Sequence, residues 1–347
     1  MSELYSDLRA LPARPTAIFG ASSCGRSVLE ALRASDIEPT VFLDNRASGP
    51  FEGKPVHPPQ EWRLLGVEAI AIGSMYGREM HSQLERLGFD GPVLDLSARH
   101  LPRWEHHFSS ALIEAHACAI AEARALLSDD SSRAVLDRML GYRRSLSPNA
   151  LPPQTRQYWH PEVGLGPNEA VLDCGAFDGA DSIAFAEAIA PGGMVHAFEP
   201  EPANLARLEH AIARCHLAER VRSWPLAVWN RRETLRFTSG GEHMDQSRIA
   251  AAGEVAIQAV PIDELVGGGE IPRVHFIKMD IEGAEREALE GACRTLLSQR
   301  PKLAICCYHR PDDLWEIPRL IARLMPGCRL WMAHHSQNLY ETVCYAR

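Results

Sequence analysis

Short apolar runs alternate with stretches of helical period along most of the chain. Near the N-terminus the apolar runs are Thr16–Gly20, Thr40–Asp44, Ala69–Gly73 and Val93–Leu96, and helical patterns at Arg26–Ala34 and Arg78–Leu87 separate them. Strands and helices in this alternation predict a parallel sheet covered by helices. Residues 102–153 carry no strand signal. Phe108–Leu127 and Ser131–Tyr142 read as two connecting helices, with Asp129, Ser131 and Ser132 suited to a turn and a helix start. The Pro-containing run 147–153 then breaks regular structure.

From Gln154 the alternation resumes. Strands are expected at Ala170–Cys174, Val195–Phe198, Val221–Val228, Val274–Asp280, Lys302–Tyr308, Arg329–His334 and Thr342–Tyr345. Helices fit Ala180–Ala190, Pro202–Cys215, Ala284–Gln299 and Asp313–Met325, and Thr234–Thr238 with Val255–Val260 read as an inserted hairpin. The predicted fold class is α/β: two doubly wound Rossmann-like domains, residues 1–101 and 154–347, joined by a helical linker at 102–153.

Composition narrows the function. The chain has 347 residues, 36 Lys and Arg against 45 Asp and Glu, and a formal charge of −9. That balance argues against nucleic acid or an anionic membrane as partner. The longest apolar stretches are far too short to span a bilayer. Residues 1–14 carry acids and arginines without an apolar core, so no secretory signal is expected. The nine cysteines are scattered without a C-x-x-C pair, and Cys174, Cys293, Cys306, Cys307 and Cys344 sit in apolar runs. Buried free thiols in a reducing cytoplasm are the expectation, and a zinc site is not.

The candidate chemistry centres on Asp173-Cys174-Gly175-Ala176-Phe177-Asp178-Gly179, where an apolar strand ends in an acid and a turn with two glycines leads into a helix. Ligands of open parallel sheets sit at such strand ends. Gly175 would let the backbone approach a ligand closely. Asp173 stands where a carboxylate could reach the ammonium of a methionine moiety. The next strand ends Phe198-Glu199-Pro200, and an acid there suits the hydroxyls of a ribose. The turn lacks the G-x-G-x-x-G arrangement of a pyrophosphate site, which favours S-adenosylmethionine over a nicotinamide dinucleotide.

These residues carry a resemblance to the FkbM-type methyltransferase family over roughly the last half of the chain. The match runs through Leu172–Gly179 with Ser182, Phe198-Glu199-Pro200, Phe276-Ile277-Lys278-Met279-Asp280-Ile281-Glu282-Gly283-Ala284-Glu285, Tyr308–Trp315 and Glu341–Ala346. Cys174 and Phe177 depart from the pattern, where a smaller or β-branched residue and an asparagine are expected. The resemblance implies a class I methyltransferase fold with an antiparallel last strand. It also implies S-adenosyl-L-methionine as donor and O-methylation of a sugar, nucleotide-sugar or secondary-metabolite acceptor. The donor site it implies is Asp173, Gly175, Ala176, Phe177, Asp178, Gly179, Ser182, Glu199, Pro200 and Asp280.

Methyl transfer to a hydroxyl calls for in-line approach and a base or metal. Asp280 and Glu282 alternate at a strand end, which places them on one side of an extended chain, and His309 ends the neighbouring strand. His309 or Asp280 is the expected base, with Lys278 or Arg310 as orienting charges. Asp280, Glu282 and His309 could instead hold Mg²⁺, or Glu282 and Glu285 could cap the next helix, the better reading for Glu285. His243, Met244, Asp245, Gln246 and Ser247 are acceptor-loop candidates. Trp224 and Trp229 suit core packing better than adenine stacking, and His334 and His335 read as surface residues.

In the N-terminal domain, Gly20-Ala21-Ser22-Ser23-Cys24-Gly25 follows a strand and Asp44 ends the next one. The segment resembles the nucleotide-binding Rossmann module of some sugar-modifying enzymes, but Ser22 replaces the glycine that meets the pyrophosphate. Ala71–Gly77 is a second glycine-bearing turn. A nucleotide site and a degenerate module that shapes the acceptor site or a homodimer contact both stay open. Two rival functions follow: a non-catalytic nucleotide-binding sensor or scaffold, and an NAD(P)-dependent sugar-modifying enzyme. No Tyr-x-x-x-Lys pair supports the second.

Overall fold

In the computed structural model, which describes residues 4–5, 14–74, 76–95, 107, 109–145, 151, 155–238, 248–249, 255–336 and 338–347, the N-terminal apolar runs form an all-parallel sheet of six strands. These are β1 (Leu4–Tyr5), β2 (Thr16–Phe19), β3 (Val41–Leu43), β4 (Val56–His57), β5 (Ala69–Ile72) and β6 (Val93–Asp95), in the order β1-β6-β5-β2-β3-β4. Strands β2, β3 and β5 are buried at every position, as expected of a sheet covered on both faces. Ile18, Phe42 and Ala71 pack with Val28, Leu29 and Leu32 of α1 (Ser23–Arg33). Phe19, Ile70 and Ile72 point the other way and pack with Leu84 of α2 (Gly77–Arg86) and with Phe89.

The segment after β6 is helical: α3 (Ser110–Ala115), α4 (Ala117–Leu126) and α5 (Asp130–Ser145). Ser109 caps α3 by accepting the Leu112 N–H at 3.1 Å, and Asp129 accepts the Ser132 N–H at 2.7 Å where α5 begins. The chain divides into two compact units. One comprises Met1–Ala117, Leu136–Gln154 and Ser336–Tyr340. The other comprises Cys118–Val135, Thr155–His335 and Glu341–Arg347. Among the described residues no helix is long and apolar enough to cross a membrane.

The second unit is built on β7 (Ala170–Cys174), β8 (Met194–Phe198), β9 (Val221–Trp224), β14 (Phe276–Met279), β15 (Lys302–Cys306), β16 (Leu330–His334) and β17 (Thr342–Ala346). Their order is β16-β17-β15-β14-β7-β8-β9. All neighbours are parallel except β17, which runs antiparallel to both β15 and β16. The chain runs outward from β7 through β8 and β9, then returns to β14 and builds the other side. The β7–β14 boundary is therefore the switch point where such sheets take ligands. Its helices are α6 (Ala180–Ala188), α7 (Pro202–Arg214), α8 (Ile262–Gly267), α9 (Glu285–Glu290), α10 (Cys293–Gln299) and α11 (Asp313–Leu324).

Two expected elements divide. The run Val221–Val228 becomes β9 and β10 (Ala227–Val228), because Pro225 has no N–H for the ladder. β10 belongs to a separate four-stranded sheet with β11 (Glu233–Thr238), β12 (Arg248–Ile249) and β13 (Val255–Val260). There β11 and β13 are the expected antiparallel pair. The single helix expected over Ala284–Gln299 splits into α9 and α10 at Gly291, whose Cα lies so close to the Trp229 carbonyl that a Cβ would sit 1.9 Å from it. The acceptor-loop candidates His243, Met244, Asp245, Gln246 and Ser247 lie outside the described residues, as do Met75 and most of the run 147–153.

Backbone crowding at the switch point sets the shape of the ligand edge. Gly175 has φ +81°, and a Cβ there would lie 1.9 Å from the Asp280 carbonyl oxygen. The glycine is thus demanded by the adjacent strand tip, not only by a ligand. Gly179, at φ +89°, likewise faces Leu208 of α7, whose Cδ1 would be 2.8 Å from a Cβ. Replacing Gly175 with alanine is expected to cost about 2–4 kcal/mol of stability, read by urea denaturation. A loss below about 0.5 kcal/mol, the range of a neutral surface change, would contradict this account of the turn.

Candidate functional site

A cavity of about 450 Å³ opens over the carboxyl ends of β8, β7, β14 and β15 in the second unit. That volume is in the usual range for a small-molecule site. Its floor is the turn Gly175–Asp178, and Phe198, Leu226, Val228 and Ile257 give it an apolar side. The turn is held from below. Lys278, 2% exposed, donates to the Gly175 carbonyl at 2.7 Å and pairs with Asp173 at 2.9 Å. Ser182 Oγ donates to the other Asp173 oxygen at 2.5 Å. Asp173 and nearby carboxylates hold the Lys278 ammonium well above its ordinary pKa against the opposing effect of burial.

Glu199 fastens the turn from the β8 side. One carboxylate oxygen accepts the Phe177 N–H at 2.9 Å; the other accepts the Glu201 N–H at 2.9 Å and the Asn204 amide at 3.4 Å. Burial raises its pKa, with the two backbone N–H groups opposing. Phe177 sits at φ +52°, a left-handed conformation that asparagine tolerates best among residues with side chains. This accounts for the asparagine expected there. Phe177 is 39% exposed at the cavity, with the Arg207 guanidinium 5.5 Å from its ring.

On the β14 side Asp280 is the centre of a hydrogen-bonded group. Tyr158 donates its hydroxyl to Oδ2 at 2.8 Å and Tyr308 donates to Oδ1 at 3.0 Å. His309 Nε2 lies 3.3 Å from Oδ1 and 4.0 Å from Glu282, while its Nδ1 lies 2.9 Å from Glu285. Burial works against each charge here, but the partners prevail. Asp280 stays below the usual carboxylate range, and the carboxylates of Glu285, Glu282 and Asp280 lift His309 to about 10. The surrounding carboxylates thus favour the imidazolium form of His309 at neutral pH. The general-base role expected of His309 needs the neutral ring, whereas its carboxylate neighbours favour the protonated one.

The cavity brings together Gly175, Ala176, Phe177, Asp178, Glu199, Pro200, Asp280 and Glu282. Asp173, Ser182, Gly179 and His309 stand behind it. Asp173 is fully buried on Lys278 and Ser182, so it is not placed to reach a ligand's ammonium. Cys174 is buried as well. Asp280 and Glu282 do meet, but not through strand alternation: β14 ends at Met279 and Glu282 turns at φ +59°. Of the two candidate orienting charges, Lys278 is engaged by Asp173 and the Gly175 carbonyl, and Arg310 pairs with Glu287 at 2.8 Å. Glu285, read as a helix cap, accepts the Ile281 N–H at 2.9 Å and also faces His309.

The sequence reading missed Gln157, Tyr158, Asp181, Leu226, Ile257 and Glu341 of the lining. Asp181 had a local signal, an acid in the first turn of the helix after the glycine turn, and Glu341 opens a segment of the family resemblance. Trp224 stacks on Phe198, with centroids 5.7 Å apart, and Trp229 donates to Glu233; neither lines the cavity. His334 and His335 are buried rather than superficial. His334 meets Thr342, and His335 lies between the Thr155 carbonyl and the Tyr345 hydroxyl. Cys293, expected inside, is exposed because it opens α10.

Asp280, Glu285 and His309 bring ligand-type atoms within 4.8 Å of one another. Their arrangement does not fit Mg²⁺, which prefers oxygen donors in an octahedral shell. Each imidazole nitrogen faces a carboxylate, Nε2 that of Asp280 and Nδ1 that of Glu285, so the group closes on itself as a chain of ion pairs.

Residues 173–336 match the sequence model of the methyltransferase FkbM domain. The hexuronic acid methyltransferase AglP of Haloferax volcanii is 34% identical over 136 residues, 37% of this chain and 52% of that protein. The chain thus spans about half the length of that relative. The 2-O-methyltransferase NoeI of Sinorhizobium fredii is 24% identical over 186 residues, 47% of this chain and 74% of that protein. The crystal structure of methyltransferase FkbM from Methylobacillus flagellatus superposes with a TM-score of 0.73 at 20% identity, covering 96% of this chain and 90% of that one. The likeness of fold therefore extends over both units.

Two groups of histidines give opposing pH effects on stability. His196 and His335 are held down to about 4 by burial, so the unfolded chain binds their protons first and stability falls as pH drops from about 6.5 towards 4. His309, raised to about 10, contributes stability that is complete below its unfolded pKa and lost as pH climbs from about 6.5 towards 10. Urea denaturation across this range should show both limbs, with the alkaline one flattened in His309→Gln. An unchanged alkaline limb in the variant would refute the imidazolium assignment. Separately, Lys278→Met, which strands a buried carboxylate, should cost about 3–5 kcal/mol.

Proposed function

We propose that this chain, whose residues 173–336 belong to the FkbM methyltransferase family, is an S-adenosylmethionine-dependent O-methyltransferase for a hydroxyl of a small, sugar-like acceptor. One observation carries the reading: a single cavity joins the glycine turn and Glu199 to a rigidly held carboxylate, Asp280. The donor's nucleoside lies over the β8 end, with ribose hydroxyls at Glu199 and the base against Leu226, Val228 and Ile257. Its methionyl part runs across Gly175–Asp178 towards β14. An acidic lining suits a sulfonium and repels the pyrophosphate of a dinucleotide.

The acceptor hydroxyl then lies at Asp280. This carboxylate has roughly four lone-pair positions; the Tyr158 and Tyr308 hydroxyls take two, and His309 stands at ion-pair distance, 3.3 Å from Oδ1. A remaining position accepts the hydroxyl hydrogen and aims the oxygen along the S–CH₃ axis. As the C–O bond forms and the S–C bond breaks, sulfur leaves as a neutral thioether and the hydroxyl oxygen becomes an oxonium, whose O–H is far more acidic than a carboxylic acid. A carboxylate of low basicity therefore suffices to take the proton. His309 positions Asp280 and balances its charge. The sugar-like acceptor follows the relatives, one named for a hexuronic acid and the other for a 2-O position.

S-adenosylhomocysteine is expected to raise the melting temperature of the protein and NAD⁺ to leave it unchanged. Glu199→Gln should weaken S-adenosylhomocysteine by about tenfold or more. With labelled donor and a panel of free hexoses and hexuronic acids, Asp280→Asn should lower methyl transfer about 10²–10⁴-fold, while S-adenosylhomocysteine affinity changes only a few-fold. Failure of the wild-type protein to bind S-adenosylhomocysteine would overturn the donor assignment. Full transfer by Asp280→Asn would overturn the acceptor assignment.

A further inference from the structure

Asp181 has no part in the chemistry derived so far, yet it faces the same cavity. It is the second residue of α6, immediately behind the glycine turn, and it is half-buried. The other acids of the lining have work already. Glu199 takes backbone N–H groups, Asp280 takes two tyrosine hydroxyls, and Asp178 accepts the Ala180 N–H at 3.1 Å; Glu282 and Glu341 also have interactions within the protein. Among the described residues no hydrogen bond or ion pair reaches the Asp181 carboxylate. The lysine of the lining, Lys278, is spent on Asp173 and the Gly175 carbonyl.

A carboxylate in a desolvated, acid-rich cavity without a partner is costly unless a ligand supplies one. The ligand group that would satisfy it is a cation with N–H donors. A sulfonium is cationic but has no N–H. An α-ammonium has three, and it lies at the end of the donor that leaves the nucleoside and crosses the turn.

We infer that Asp181 receives the α-ammonium of the donor's methionyl group, a role that sequence reading had given to the buried Asp173. The inference rests on the donor assignment proposed above. The groups facing Asp181 are Lys278 and Asp280 on the β14 side, Asp173 of β7, Asp178 of the turn and the Tyr158 hydroxyl. Burial pushes the Asp181 carboxyl up to about 6, with Lys278 opposing and the three aspartates adding to the rise. An arriving ammonium drives it to the charged form, so binding near pH 6 expels a proton.

The full-length protein and Asp181→Asn are compared by calorimetry with two probes, S-adenosylhomocysteine and 5′-methylthioadenosine. The second has the nucleoside and thioether but neither ammonium nor carboxylate. In the variant, affinity for S-adenosylhomocysteine should fall about 10–100-fold, while methylthioadenosine affinity stays within about threefold. On the wild-type protein, titration at pH 6 in buffers of different ionisation enthalpy should show about half a proton released with S-adenosylhomocysteine, and close to none with methylthioadenosine. Unchanged S-adenosylhomocysteine affinity, an equal fall for both probes, or no proton release would overturn the assignment to Asp181 and leave the donor site standing. Failure of the wild-type protein to bind either probe would overturn both.

Discussion

The buried pair of Lys278 and Asp173 is the contact from which the ligand edge is built. It bridges β14 and β7 at the switch point and, through the Lys278 bond to the Gly175 carbonyl, holds the glycine turn against the sheet. Two buried charges are tolerable only when paired and hydrogen-bonded. Ser182 of α6 and the turn carbonyl complete that requirement, so strand, turn and helix are tied at one place. The same pair leaves neither partner available to a ligand. A lysine and an aspartate of the family motif thus act beneath the cavity, and contacts within it fall to residues set on the turn and on neighbouring strand ends.

Those cavity residues are arranged by electrostatics more than by apolar shape. Glu199, Asp181 and Asp280 stand on successive elements around the turn, and the lysine near them is already neutralised. A cationic ligand lowers the energy of such a lining, whereas a phosphate-bearing one raises it. Behind Asp280 the alternation of Glu285, His309 and Asp280 places an imidazolium between carboxylates. Together with the two tyrosine hydroxyls and Lys278, this favours the ionised form of Asp280. The N-terminal unit repeats part of the device: Asp44, ending β3, accepts the Ala21 N–H at 2.9 Å, much as Glu199 accepts that of Phe177. The shared geometry reflects how a doubly wound sheet closes its first turn, and it does not by itself assign a ligand there.

The chain alone determined the layer architecture and the location of the ligand edge. Buried parallel strands must be continuously apolar, and an acid before a glycine turn is visible without coordinates, so β2, β5, β7, β8, β14 and β15 could be read with only small errors at their ends. Glu199 and Asp280 were legible for the same reason, because each ends such a run. Tertiary structure alone decided which acids face the cavity and which lie beneath it, since burial and partners come from segments far apart in sequence. Asp173 is closed off by Lys278, His309 is charged by Glu285, and Tyr158 reaches Asp280 across 122 positions. Periodicity can place a side chain on a strand end or a helix face. It cannot say what stands opposite, and protonation and access at this site depend on that opposing group.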